Sequence, residues 1–264
     1  MIFPLFIMAG YDVIGNIVIL KFSRDVKMSE KKKVAKKFLL QNKHVTTVLE
    51  KTDKIKGRLR TPTTKYLAGD KTKEALYKEN GCEFRLNVDE CYFSSRLASE
   101  RKEIASMTKK NESVLVMFGG VAPFAIAIAK LAKPKKVISV ELGKACCRYA
   151  LENVKRNKLA GRVEIIQGDV RKKVPLLKEK FDRIVMSRPN LKESFLDVTF
   201  PNIKKNGMIH YYGFYNINEA DKMRDLIIDK AREARKKIKI LMIKKAGNIA
   251  PYRFRYRADI KVLN

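Results

Sequence analysis

The 264 residues carry 58 lysines and arginines against 28 aspartates and glutamates, a formal net charge of +30. With 45% apolar and 33% charged residues, the chain has the profile of one large globular domain or two small ones, which excludes a disordered or fibrous polypeptide. The basic excess is spread over the molecule instead of being collected in a tail. It predicts attraction to a polyanion, nucleic acid first and an anionic membrane surface second, or else reflects lysine enrichment with no partner behind it.

The opening MIFPLFIMAGYDVIGNIVIL has a short apolar run, interrupted by Pro4, Gly10, Asp12 and Asn16, and no basic residues before it. That excludes a membrane span or signal peptide and predicts a buried strand pair. SEKKKVAKKFLLQNK predicts a helix capped by Ser29, with Val34, Phe38 and Leu39 inward and a basic outer side. HVTTVLEK is a strand, and GRLRTPTTKYLAG is irregular or strand-like. EALYKE and CEFRLNV flank Asn80-Gly81, a strong hairpin signal. Residues 1–89 therefore read as a small α+β domain.

From residue 90 to 264 strand and helix signals alternate: helical RLASERKEIASMTKK, strand SVLVMF, helical FAIAIAKLAK ended by Pro134, strand KVISVEL, helical ACCRYALENVKRNKL, strand VEIIQGDV. The strands in FDRIVMSRPN and MIHYYGFY follow, then a long helix in NEADKMRDLIIDKAREARKK. KIKILMIKKAG and YRFRYRADIKVL close the chain as an antiparallel pair. This pattern predicts a parallel sheet flanked by helices with an antiparallel edge. Cys82, Cys91, Cys146 and Cys147 lack metal-ligand spacing, and His44 and His210 are far apart, so no metal site is expected and a reduced, cytosolic chain is the simple reading.

In VLVMFGGVAPF a glycine pair sits between an apolar strand and an apolar helix, where a ligand can approach the backbone and a helix N-terminus. Glu141 ends the next strand, placed to accept two ribose hydroxyls, and Asp169 ends the one after, placed to meet an adenine edge. The competing reading is packing for the glycines and helix capping for the acids. A nicotinamide-type fold would carry G-x-G-x-x-G, which is absent. The order strand, FGGVAPF, strand-Glu, strand-GDV, a Pro-containing segment after the fourth strand and an antiparallel last strand looks like the S-adenosylmethionine-dependent class I methyltransferases, an α/β Rossmann-like sheet.

GRLR, KENGCEFRLNV, CYFSSRLASER, MFGGVAPF and GMIHYYGFY together resemble the archaeal and eukaryotic tRNA (guanine-37-N1)-methyltransferases and their sister group, the wyosine-pathway aminocarboxypropyltransferases, which use the same fold and cofactor. The resemblance runs from about Tyr11 to the C-terminus. It implies S-adenosylmethionine as cofactor and the tRNA anticodon loop as partner; a monomer is expected, though the sequence does not give the oligomeric state. It implies a catalytic set of Arg60, Tyr92, Glu100 as general base, and Ser187. Cofactor contacts are implied from Arg101, from Phe118, Gly119, Gly120, Val121 and Pro123, from Glu141 and Leu142, from Asp169 and Val170, and from Ser187 and Pro189. The chemistry suits these types. A carboxylate can take the proton of guanine N1, a guanidinium can stabilise charge growing on O6, and the base must be splayed out of its loop to be reached. For Glu100 and Arg101 the alternative is a helix-surface ion pair.

Three positions depart from the family pattern. Its N-L-P motif reads Ser187-Arg188-Pro189, followed by Asn190. Ala122 stands where a glycine is expected, and Val116 where an acid is often found. The resemblance also implies a compact form without the N-terminal domain that grips the tRNA elbow. Binding would then rest on basic segments: KKKVAKK, KPKK at 133–136, KAREARKK, and RFRYR with Tyr252, Phe254 and Tyr256. Methylation of N1 of guanosine 37 is the function expected first. Aminocarboxypropyl transfer is second, and a non-catalytic RNA-binding paralogue third.

Overall fold

Apolar residues flanking Gly15-Asn16 pair at once with each other. In the computed structural model, which describes residues 8–52, 62–187, 191 and 193–264, β1 (Met8–Ile14) and β2 (Ile17–Phe22) form an antiparallel hairpin. Gly15 has φ +57°, and a Cβ there would lie 1.7 Å from the Leu76 carbonyl oxygen, so only glycine fits the turn. β2 is buried over Ile17–Leu20 and continues into α1 (Met28–Gln41), which buries Val34, Ala35 and Phe38 as its apolar spacing requires. The expected cap is corrected: Lys27 is the N-cap and Ser29 lies inside the first turn. Glu30, at the third helical position, accepts from the Lys27 backbone N–H at 3.2 Å, so the carboxylate supplies the capping bond from inside the helix.

β3 (Thr47–Lys51) runs parallel to β2, and β4 (Thr64–Gly69) antiparallel to β3, giving the sheet order β1-β2-β3-β4. β5 (Glu74–Glu79) and β6 (Cys82–Asn87) form the expected hairpin, with Asn80 at φ 48° and Gly81 at φ 72°, the left-handed pair that Asn-Gly favours.

A second sheet follows. α2 (Ala98–Met107) leads into β7 (Ser113–Met117), α3 (Pro123–Leu131), β8 (Lys136–Glu141), α4 (Lys144–Arg156) and β9 (Val163–Gln167). Then come α5 (Val170–Lys173), β10 (Phe181–Met186), α6 (Leu196–Thr199), β11 (Ile203–Asn216), α7 (Ala220–Glu233), β12 (Ile238–Ala250) and β13 (Arg253–Val262). The order among the described residues is β12-β13-β11-β10-β7-β8-β9. β7 to β11 pair in parallel, while β13 is antiparallel to both of its neighbours. The last strand lies one place inside the sheet, and β12 forms the edge. β7 is buried at every position, which is why it reads as an unbroken apolar run. Leu115, Met117, Ile184, Ile209 and Tyr211 belong to the core around it.

The chain divides into two compact units, Met1–Ser95 and Arg96–Asn264; the expected boundary at 89/90 falls just after β6. No helix of the described residues is long and apolar enough to cross a membrane.

Candidate functional site

The site of the second unit begins where β7 leaves the sheet. β7 has β8 on one side and β10 on the other, so the chain order reverses there, and loops at the carboxyl ends of such strands open a crevice. The loop Phe118–Ala122 is wound tightly: Phe118, Gly120 and Ala122 all have positive φ (63°, 57° and 66°). A Cβ at Gly119 would lie 2.1 Å from the Ser139 hydroxyl, which would have to turn away to admit it. That hydroxyl is buried, with no hydrogen-bond partner among the described residues. Ala122, which stands where the family pattern has glycine, is wholly buried at the N-cap of α3, and its carbonyl accepts from Ile126 N at 2.9 Å. An L-residue in this left-handed region costs about 1 kcal/mol, a strain glycine would not bear. Pro123 opens the helix, Val121 is buried, and Val116 lies fully buried in mid-strand.

Glu141 ends β8 and ties the surrounding loops together. Its Oε2 accepts from Gly120 N at 2.8 Å and its Oε1 from Gly143 N at 2.7 Å. A carboxylate offers about four lone-pair positions, so each oxygen keeps one for a further donor such as a hydroxyl. Leu142 beside it is exposed. Cys147 donates toward the Glu141 carbonyl at 3.4 Å; burial, then the Glu141 charge, push its thiol up to about 12, so it is no thiolate nucleophile. Asp169 accepts from Arg171 N at 2.9 Å as the N-cap of α5, so the capping role weighed from sequence is present, and Val170 is buried behind it.

Ser187 follows β10, half-buried, its hydroxyl directed at the carbonyls of Met117 (3.4 Å) and Phe118 (3.3 Å). Pro189, Arg188 and Asn190 lie outside the described residues, as does Arg60. Tyr92 is half-buried in the first unit, after β6. Sequence reasoning missed a clamp beyond Ser187. Arg171 bonds Glu193 (2.9 Å) and Asp197 (2.5 Å) and covers the Phe195 ring at 4.8 Å, while Phe195 meets the edge of Phe118 at 4.9 Å. No local spacing announces these partners.

Glu100 and Arg101 are both buried on α2, so the helix-surface ion pair is not what the structure holds. The Arg101 guanidinium lies 5.9 Å from the Phe124 ring centroid. Glu100 Oε2 accepts from Tyr212 (2.9 Å) and Arg257 Nη1 (2.7 Å), and Oε1 from Lys244 (3.0 Å). Arg257 Nη2 also bonds Glu103 (2.6 Å) and Asp259 (2.9 Å), and Lys244 pairs with Glu103 as well. Asp259 accepts from His210 Nδ1 at 2.6 Å, and Arg183 donates to His210 Nε2 at 2.5 Å while gripping Glu112 at 2.7 Å. With Nε2 accepting, the ring is neutral with its proton on Nδ1. Burial above all holds the His210 pKa below the ordinary histidine range. The Arg257 hydrogen bond lowers the Glu103 pKa, and burial, then the Glu100 charge, raises that of Tyr212 well above the usual phenol range.

The first unit has its own feature, a cavity of about 510 Å³ lined by Lys32, Lys36, Lys65, Tyr66, Met28 and Leu39 among others. The three lysines are exposed and carry no carboxylate partner among the described residues. Lys31, in the same run, turns inward to Glu50 at 2.6 Å.

Residues 75–243 match the model of the TRM5/TYW2 methyltransferase domain, and residues 6–72 that of the TYW2 N-terminal domain. The chain is 32% identical over 262 residues to the tRNA (guanine(37)-N(1))-methyltransferase Trm5b of Pyrococcus abyssi, covering 97% of this chain and 76% of that one. It is 33% identical to the tRNA (guanine(37)-N(1))/4-demethylwyosine(37)-methyltransferase Taw22 of Nanoarchaeum equitans, covering 96% and 100%. It is 35% identical over 204 residues to the tRNA(Phe) (4-demethylwyosine(37)-C(7)) aminocarboxypropyltransferase of Methanocaldococcus jannaschii, covering 76% and 77%. Among solved structures, P. abyssi Trm5b superposes with a TM-score of 0.87 at 32% identity over 97% of this chain and 76% of that one. M. jannaschii TYW2 in complex with AdoMet superposes with a TM-score of 0.74 at 27% identity over 97% and 100%.

Proposed function

The chain belongs to the TRM5/TYW2 methyltransferase family, whose members are S-adenosylmethionine-dependent tRNA-modifying enzymes, and we propose that its own reaction is methylation of N1 of guanosine 37, in the anticodon loop. The observation that carries this reading is the buried, anchored Glu100 carboxylate in the same unit as the Glu141 cradle. Relatives named as guanine-37-N1-methyltransferases cover nearly the whole chain.

The residues fit the cofactor. Glu141 keeps one free acceptor position on each oxygen for the ribose hydroxyls, and the Phe118–Pro123 loop brings backbone and a helix N-terminus beside it. Leu142, Asp169, Val170 and Arg101 complete the proposed cofactor set, with Pro189 assigned by the resemblance. When bound, S-adenosylmethionine supplies an electrophilic methyl group. The chain's own task is to make N1 a nucleophile. Glu100 takes the N1 proton, Arg60 stabilises the charge that grows on O6, and Tyr92 and Ser187 orient the base. Alignment of the reacting atoms lowers the remaining barrier. Lys32, Lys36 and Lys65, exposed and without a carboxylate partner among the described residues, support a polyanionic substrate.

A second reading is aminocarboxypropyl transfer, favoured by the 35% identity to the M. jannaschii transferase and by the match of residues 6–72 to the TYW2 N-terminal domain. One experiment separates the two. The protein is incubated with methyl-labelled S-adenosylmethionine and an unmodified tRNA transcript bearing guanosine 37, and nucleosides are analysed by mass spectrometry. The expected product is 1-methylguanosine, lost when that guanosine is replaced. No methyl transfer, with a 3-amino-3-carboxypropyl adduct on tRNA bearing 4-demethylwyosine, overturns the first reading for the second.

A further inference from the structure

Burying the charges around Glu100 is costly, and stability alone does not call for it. Removing a guanidinium and a carboxylate from water costs several kcal/mol per ion, and well-packed apolar residues in their place are often no less stable. Arg257 is nonetheless fully buried, with its Nε unpartnered among the described residues, and Tyr212 is fully buried beside it. What the arrangement secures is a direction. Tyr212 and Arg257 both donate to Oε2 of Glu100, filling that oxygen's lone-pair positions. Among the described residues Oε1 receives only Lys244, at 3.0 Å, which leaves one position on that atom for a further donor. The donors come from β11, β12 and β13, so three strands hold the carboxylate of α2 in one orientation.

We propose that Tyr212 and Arg257 are positioning residues that pin Glu100 through Oε2 and reserve Oε1 as the proton-accepting atom, with Lys244 as its neutralising cation. The inference rests on the reading of Glu100 as the base for N1. In the step, the N1–H bond breaks, its electron pair stays on N1 for the methyl group, and an O–H bond forms on Oε1. Arg257 has a second duty to Glu103 and Asp259, so its replacement endangers the fold. Tyr212→Phe and Lys244→Met are the cleaner probes.

The test is a double-mutant cycle with Glu100→Gln, read as single-turnover rate at saturating tRNA, with tRNA and cofactor dissociation constants and the thermal midpoint measured in parallel. Tyr212→Phe is expected to slow the step about tenfold in the native background, the cost of one hydrogen bond to a charged group. It should leave both dissociation constants unchanged and have no effect once Glu100 is Gln. Lys244→Met is expected to behave alike, with Lys244→Arg restoring most of the rate. Equal losses in both backgrounds, or an unimpaired Tyr212→Phe enzyme beside an impaired Glu100→Gln enzyme, overturn the positioning role alone. Full rate in Glu100→Gln overturns the base assignment and the proposal with it.

Discussion

The chain treats its cations in two opposite ways. On α1 of the first unit, Lys32 and Lys36 stand on the exposed face and share a cavity with Lys65, none with a carboxylate partner among the described residues. In the second unit, Arg183 and Arg257 are buried, and most of their donors, though not the Nε of Arg257, meet a carboxylate, a carbonyl or His210. Water solvates the first group at little cost, and salt screens it. The second group has exchanged water for fixed partners, so it is insensitive to salt and sensitive to the loss of any one partner. Charge of one sign thus serves attraction outside and geometry inside, and a count of lysines and arginines does not distinguish them.

The contrast can be broken from the inside first. Arg257→Met strands Glu100, Glu103 and Asp259 without their shared cation. It is expected to lower unfolding stability by about 3–5 kcal/mol, read from urea denaturation; a loss below 1 kcal/mol would mean the interior cluster is no more costly to disturb than a surface one. A milder probe is pH. His210 has its pKa lowered below 6.5 in the folded chain, mainly by burial, so between its folded and unfolded pKa values the unfolded chain binds more protons. The contribution of His210 to stability is therefore complete above about pH 6.5 and is lost as pH drops, by at most about 1.4 kcal/mol per pH unit over that interval. The thermal midpoint measured from pH 7.5 to 5 should follow, and His210→Gln should flatten the curve. The outer group gives the smallest effect on folding. Replacing Lys32, Lys36 and Lys65 with Gln is expected to leave the unfolding midpoint within about 0.5 kcal/mol of the native value. It should weaken tRNA binding roughly tenfold at low salt and make the slope of log affinity against log salt shallower by about 2. An unchanged slope would show that these lysines do not meet phosphate.

Local pattern made much of this legible. The apolar run of β7, the Asn80-Gly81 hairpin and the Gly119-Gly120 loop each declare themselves within a few residues, because strand burial, positive φ and helix starts are local demands on the chain. Glu141 is legible for the same reason: it ends a strand directly after that loop's own strand, and its two backbone bonds come from Gly120 and Gly143. Ser29 was legible only as a type, since a serine near a helix start suits a cap, yet the helix is capped two residues earlier, at Lys27, and the capping bond falls to Glu30.

By itself, then, the order of residues determined most of the elements, the class of sheet, the glycine loop at its carboxyl ends and the family. Tertiary structure alone decided what each charge does. Tyr212 reaches Glu100 across 112 positions and Arg257 across 157, and nothing in either neighbourhood announces the partner. Their meeting depends on β13 entering the sheet between β11 and β12 and presenting Arg257 and Asp259 to α2 and His210. Periodicity records which face of an element is buried, but which element covers that face follows from strand order, a property of the whole sheet.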